Sequence, residues 1–293
     1  MNDIAPITQG TIATASPIKA LFMGESGSGK TCALASLLDA GYKVRVLDLD
    51  NGIETLKHLL SSEKSRYKRD CLDRLAYITL TEPMRFAQGR IIPAKATVWQ
   101  SAMTMLDNWR NAKPELGTVC DLGSASKWGS DTVLVIDTMS TLSNAALNFH
   151  LAMQGALGQV RSQNEARRDI GVAQQLIRTL CQYLSDISLH CNVLVNCHIV
   201  YVKQDGTGDL TPGEKAPTQG FPAAIGRALS PEIPRYFNAV LLCASAGGQR
   251  KVIHTMTQAN INLKTTAPHS VAAMYEQPTG LAEYFKAVRG PLT

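Results

Sequence analysis

The sequence predicts an α/β fold with a mostly parallel central sheet flanked by helices, and three observations point to it. Six short segments carry continuous rather than alternating apolar runs: "IKALFM" (18–23), "KVRVLDLD" (43–50), "AYITL" (76–80), "TVLVID" (132–137), "NVLVNC" (192–197) and "AVLLCAS" (239–245). Strands covered on both faces read this way. Helical patterns lie between them, as crossover connections between parallel strands require. The third observation is a glycine-rich turn, "GESGSGKT", placed between the first apolar segment and the first helical pattern.

Taken in order, residues 1–16 are rich in Thr, Ala and Pro and read as a flexible arm, leaving 17–293 as one domain. "TCALASLLDAG" follows the glycine turn and stops at Gly41, a natural helix end. "ATVWQSAMTMLDNWRN" places Val98, Met105, Leu106 and Trp109 on one side of a helix. Residues 113–130 read as a loop inserted before the strand at 132. "DIGVAQQLIRTLCQYLSDISL" spaces Val172, Leu176, Ile177, Leu180 and Leu184 as a helical stripe. Residues 203–235 are rich in Gly and Pro, and a loop of that length is usually functional. The stretch from "KVIHTM" to "LAEYFKAV" reads as an extra strand and a closing helix.

Composition narrows the function classes. The 293 residues are 45% hydrophobic and 18% charged, ordinary for a globular chain with a full core. The net charge of +5 permits a polyanionic partner without demanding one. The start, "MNDIAPITQG", lacks a basic stretch before an apolar one, and a cytoplasmic location is expected. Seven cysteines scattered singly read as reduced thiols. His190-Cys191 and Cys197-His198 flank an apolar run and stand about 20 Å apart if it is a strand, too far to share one metal ion.

Gly24, Glu25, Ser26, Gly27, Ser28, Gly29, Lys30 and Thr31 satisfy the phosphate-loop pattern. Its glycines let consecutive backbone N–H groups point inward at phosphate oxygens, and the following helix adds its positive end. Lys30 is the residue for the β- and γ-phosphates, the Thr31 hydroxyl is a Mg²⁺ ligand, and Cys32 continues the nucleotide-binding turn. ATP and Mg²⁺ are therefore the expected ligands. Asp137 ends a buried apolar strand, where phosphate-loop enzymes hold the magnesium shell.

A small-molecule kinase usually closes an arginine-rich lid, and no compact one is present in the sequence. An ATPase instead needs a group that orients water and one that senses the γ-phosphate. Asp48 and Asp50, two apart at the end of the second segment and so on one face of a strand, are candidates for the first, although either also suits a cap on the turn "NG". Asn196 and His198 fall at the carboxyl end of another strand, the edge where open α/β sheets bind ligands.

The order "GESGSGKT", "VLDLDNGIETL", "VLVIDTMSTL", "VLVNCHIVYV" and a long loop resembles the RecA-like recombinase core, nearest to the compact phage ATPases of the single-strand annealing, Sak-four type. The resemblance spans roughly residues 18–288, with the phosphate loop and the Asp137 strand its sharp parts. It implies a catalytic acid at Asp50 and a γ-phosphate sensor at His198. In this chain Asp stands where RecA has Glu, and His where RecA has Gln; residues 113–130 have no counterpart. The resemblance further implies a homo-oligomer, filament or ring, on single-stranded DNA, with a single-strand DNA-binding protein as partner. Its DNA loops correspond to residues 148–169, with Arg161, Arg167 and Arg168, and to 203–235, with Lys203, Lys215 and Arg227 and with Tyr201 and Phe221 for stacking. Arg250 and Lys251 stand where a neighbouring subunit's site would receive a basic residue. Two other readings remain open: a nucleotide-regulated loader with little hydrolysis, and a phosphotransferase.

Overall fold

The computed structural model describes residues 16–63, 65–87, 89–203, 218–247 and 250–292. In chain order the first elements are β1 (Lys19–Met23), α1 (Lys30–Asp39), β2 (Lys43–Asp48), α2 (Ile53–Ser61) and β3 (Leu75–Thr79). A hairpin, β4 (Met84–Ala87) and β5 (Arg90–Pro93), leads to α3 (Val98–Asp107). A second, β6 (Trp109–Asn111) and β7 (Cys120–Gly123), precedes β8 (Thr132–Asp137). The helices α4 (Met139–Met153) and α5 (Gln163–Ser185) lead to β9 (Asn192–Cys197). A third hairpin, β10 (Ile199–Lys203) and β11 (Thr218–Pro222), is followed by β12 (Ala239–Ser245), β13 (Lys251–His254), β14 (Met274–Glu276) and α6 (Gly280–Arg289).

The fold is α/β, with an eight-stranded sheet in the order β14-β13-β12-β1-β9-β8-β2-β3. The six strands from β12 to β3 are parallel, and β13 and β14 extend the sheet antiparallel. All six apolar segments read from the sequence are these parallel strands. Their continuous runs have a simple cause: α1, α2 and α6 pack on one face, burying Phe22, Leu34, Val135 and Leu194, while α3, α4 and α5 cover the other, burying Leu21, Ile136, Leu142 and Ile177. No polar face is left to alternate with.

α5 starts earlier than the apolar stripe suggests. Ser162 and Glu165 form a reciprocal capping box, and this polar signal sets the N-terminus at Gln163. The buried stripe is Ala173, Ile177, Leu180, Cys181 and Leu184; Val172 is exposed. α3 stops at Asp107, and Trp109 belongs to β6, where its ring lies 5.6 Å from that of Trp128. Residues 113–130 are thus a folded addition packed on the sheet, with β7 paired to β6, rather than an irregular loop. Among the described residues, no helix is long and apolar enough to cross a membrane.

Candidate functional site

The phosphate loop joins β1 to α1 at the carboxyl edge of the sheet. Gly24 is required by space: a Cβ there would lie 2.5 Å from the Cys243 carbonyl and 2.5 Å from Ser28 Oγ. Gly27 and Gly29 adopt φ of 73° and 99°, a region that side chains disfavour. Lys30 is the first residue of α1, and its ammonium donates to the carbonyls of Gly24 at 2.7 Å and Glu25 at 3.0 Å. Burial lowers its pKa from 10.5, and the nearby Asp137 charge opposes that shift. Thr31 Oγ1 donates to Asp137 Oδ2 at 2.6 Å. Gly52 keeps the approach to this pair open, since a Cβ there would stand 3.1 Å from Thr31 Oγ1.

Asp137 and Asn196 are register neighbours on β8 and β9, and both are buried. Burial pushes the Asp137 carboxyl above its usual 3.8, against the stabilising effects of Thr31 and Asn196. Asn196 nevertheless has no hydrogen bond of good geometry at either side-chain atom, an uncommon condition for a buried amide. Because β9 lies between β1 and β8, this amide sits in the sheet between the strands that carry the phosphate loop and Asp137, fully buried and off the cavity wall.

Asp48 and Asp50 separate clearly. β2 ends at Asp48, so strand alternation does not continue to Asp50. Asp48 is fully buried, accepting from the Gly52 N–H at 2.9 Å and from Thr79 Oγ1 at 3.0 Å; it caps the turn. Asp50 turns toward the loop, where it accepts from Thr138 Oγ1 at 3.0 Å and from Thr141 Oγ1, and lies 3.3 Å from His198 Nε2. Thr138 and Thr141 are additions to the residues singled out from the sequence. Their signal was the hydroxyl pattern of "DTMST", one and four residues beyond Asp137.

These groups line one cavity of about 390 Å³, bounded by Ser26, Lys30, Thr31, Asp50, Asp137 and His198 among others, with Gly27, Gly29, Cys32 and Thr138 also on its wall. Its donor set suits a polyphosphate and a hard cation: a buried ammonium, a glycine-lined turn at a helix N-terminus, a hydroxyl beside a carboxylate. Gly24, Glu25 and Ser28, expected at the nucleotide, are not on this wall; Glu25 and Ser28 line a neighbouring cavity of about 330 Å³ with Tyr201 and Cys243. A larger cavity of about 500 Å³ between α1 and α6 is lined instead by Ser36, Tyr42, Tyr67 and Lys286 and contains none of these groups.

Arg250 and Lys251 lie at the start of β13, at the turn from β12. Lys251 donates to the Gly27 carbonyl at 2.9 Å and to Ser245 Oγ at 2.7 Å, both within its own chain, while Arg250 pairs with Glu276. Gln277 also reaches the loop from beneath, with its amide nitrogen 3.0 Å from Cys243 Sγ; nothing in the sequence marked it.

The basic residues considered for nucleic acid have different surroundings. Arg161 precedes α5 and is tied to Asp169 at 3.0 Å, a carboxylate that also contacts His150 at 3.1 Å. Burial alone would raise the Asp169 pKa, but the bonds from Arg161 and His150 outweigh it and hold the carboxyl below 3.8. Arg167 and Arg168 are exposed on the first turns of α5, so residues 148–169 are mostly helix around a short connection. Lys203 ends β10, Lys215 lies outside the described residues, and Arg227 follows the turn at Gly226. Tyr201 faces Gly220 in the β10–β11 register while Phe221 faces Val200, so the two rings project from opposite faces and form no single stacking platform.

No protein-family model matches the chain, and no curated protein matches it.

Proposed function

We propose that the protein is a RecA-like ATPase that binds single-stranded DNA as a homo-oligomer and promotes annealing or strand exchange. The observation that carries this reading is the convergence of Lys30, Thr31, Asp137, Asp50 and His198 on one cavity, with the strand leading to His198 placed between the phosphate loop and Asp137. A plain phosphate-binding turn needs only the first two.

Lys30 and the loop amides would hold the ATP phosphates, and Thr31 and Asp137 would hold Mg²⁺, which when bound neutralises phosphate charge. Asp50, fixed by two threonine hydroxyls, orients the attacking water and takes up its proton through a carboxylate oxygen. His198 contacts Asp50 and leads at once into β10, so a change at the cavity has a short covalent route to the 203–235 stretch, of which residues 204–217 lie outside the described residues. Nucleotide state would thereby alter the affinity of that segment for DNA. The localisation proposed is the cytoplasm, and a single-strand DNA-binding protein is the proposed partner.

A second reading, a nucleotide-regulated loader with little turnover, is favoured by one feature: Asp50 is a short acid whose oxygens already accept hydroxyl and imidazole contacts. ATP hydrolysis measured with and without single-stranded DNA, for the wild type and for Lys30→Ala and Asp50→Ala, separates the two. DNA-stimulated turnover abolished in both variants supports the ATPase. Tight ATP binding with negligible turnover in the wild type supports the loader, and labelled phosphate on an acceptor would support a phosphotransferase.

A further inference from the structure

The phosphate loop is held by a brace that has no part in the proposed reaction. β12, β13 and Gln277 form it. Ser245 and Lys251 are register partners across the two strands. The Lys251 carbonyl accepts from the Gln277 N–H at 2.9 Å, and the Gln277 side chain donates to Cys243 Sγ at 3.0 Å. Two side chains of this brace reach the loop. Cys243 Sγ donates to the Ser28 carbonyl at 3.1 Å. Lys251 Nζ donates to the Gly27 carbonyl at 2.9 Å and to Ser245 Oγ at 2.7 Å. With the two Lys30 bonds, the carbonyls of Gly24, Glu25, Gly27 and Ser28 each have a side-chain donor.

The Lys251 bond falls where the loop is least supported. Gly27 has a φ of 73°, and nothing lies within 4 Å of where its Cβ would be, so no packing on that side limits the freedom glycine gives this peptide. A trans peptide is planar, with its carbonyl and N–H pointing opposite ways. Fixing the Gly27 carbonyl on Lys251 therefore also fixes the Ser28 N–H, which donates to the Glu25 carbonyl at 3.1 Å and closes the turn. A charged donor on that carbonyl polarises the peptide and strengthens the N–H bond at its other end.

Charge separates Lys251 from its neighbour in sequence. Arg250 pairs with Glu276, whereas Lys251 has no carboxylate partner among the described residues, and its hydrogen bonds go to the loop and to Ser245.

We propose that Lys251 is a positioning residue for the phosphate loop of its own chain: its ammonium sets the Gly27–Ser28 peptide, so that the loop meets phosphate already formed. This assigns the residue to its own chain rather than to a neighbouring subunit's site. Its effect on nucleotide rests on the ATPase reading above, and the test has two arms so that the two can fail separately. In the first, amide hydrogen exchange of the nucleotide-free, full-length protein is followed by mass spectrometry. Lys251→Ala is expected to speed exchange in peptides covering residues 24–31 and the β12–β13 turn, with the rest of the sheet unaltered. In the second, methylanthraniloyl-ATP with Mg²⁺ is titrated by fluorescence. Lys251→Ala is expected to weaken binding about tenfold, as the loss of one charged hydrogen bond does. Lys251→Arg, which keeps a charged donor, should recover most of that affinity. Wild-type exchange across residues 24–31 in Lys251→Ala overturns the role, and so does acceleration spread through the whole sheet. Hydrolysis recovered on mixing Lys30→Ala with Lys251→Ala protomers places Lys251 in a neighbour's site and also overturns it. A wild type that does not bind the ATP analogue overturns the ATPase reading, and the exchange arm still decides whether Lys251 holds the loop.

Discussion

Asp137 and Asp169 are both buried aspartates with close polar partners, and the molecule treats them in opposite ways. Asp169 is bonded by Arg161 and contacts His150, and its pKa is held low. Asp137 accepts from a neutral hydroxyl, has a lysine nearby that bonds elsewhere, and is pushed up by burial. The first is a completed ion pair that fixes the start of α5. The second is a carboxylate held against the cost of its burial, the condition expected of a group that the proposed function uses.

The largest effects should come from dismantling the Asp137 side of this contrast. Lys30→Ala and Asp137→Asn are each expected to reduce ATP hydrolysis by about 10²-fold or more, measured as phosphate release. Asp137→Asn should at the same time leave the melting temperature of the nucleotide-free protein unchanged or raised near neutral pH. A raised folded-state pKa contributes stability below the unfolded value that is lost as pH rises through the folded one, and the amide removes that loss. A melting temperature well below wild type at neutral pH would put Asp137 on the structural side instead.

Asp48 and Asp50 sharpen the same distinction over two residues. Asp50→Asn is expected to lower kcat by about 10²-fold with little change in unfolding. Asp48→Ala is expected to cost about 1–3 kcal/mol of stability, read from denaturant unfolding, because it strands the Gly52 amide and the Thr79 hydroxyl. Equal kinetic losses in both would erase the assignment.

Arg161→Ala should lower the melting temperature at pH 7, and the deficit should shrink in acid. The depressed Asp169 pKa means its contribution is present above the unfolded carboxylate value and lost as pH falls through the folded one. The smallest effect is at Arg167 and Arg168. Alanine at either should leave unfolding untouched and reduce the salt slope of single-strand binding by about 1.

The same contrast explains what could be read without coordinates. The phosphate loop was legible because its chemistry is contiguous: Gly24 through Thr31 must form one turn. The parallel strands were legible because burial on both faces leaves an apolar run. Asp50 was ambiguous with Asp48 because the end of β2 depends on the turn at Asn51, whose φ is 57°. Thr141 and Lys251 come from distant segments, and only the folded sheet brings them to Asp50 and Gly27. Arg161 looked like Arg167 and Arg168 because a basic residue carries no mark of its partner. Trp109 looked helical because its spacing continued α3, while its packing against Trp128 decided otherwise.

The position of β1 has a consequence during synthesis. Its two neighbours in the sheet are β9 and β12, beginning at Asn192 and Ala239, and among the described residues no earlier strand pairs with it. At 5–20 residues per second, a ribosome needs roughly ten to thirty seconds after making β1 before it delivers the first of these. Throughout that interval the strand behind the phosphate loop is an apolar segment with two open edges, a natural client for a chaperone and the point at which a stalled chain would aggregate.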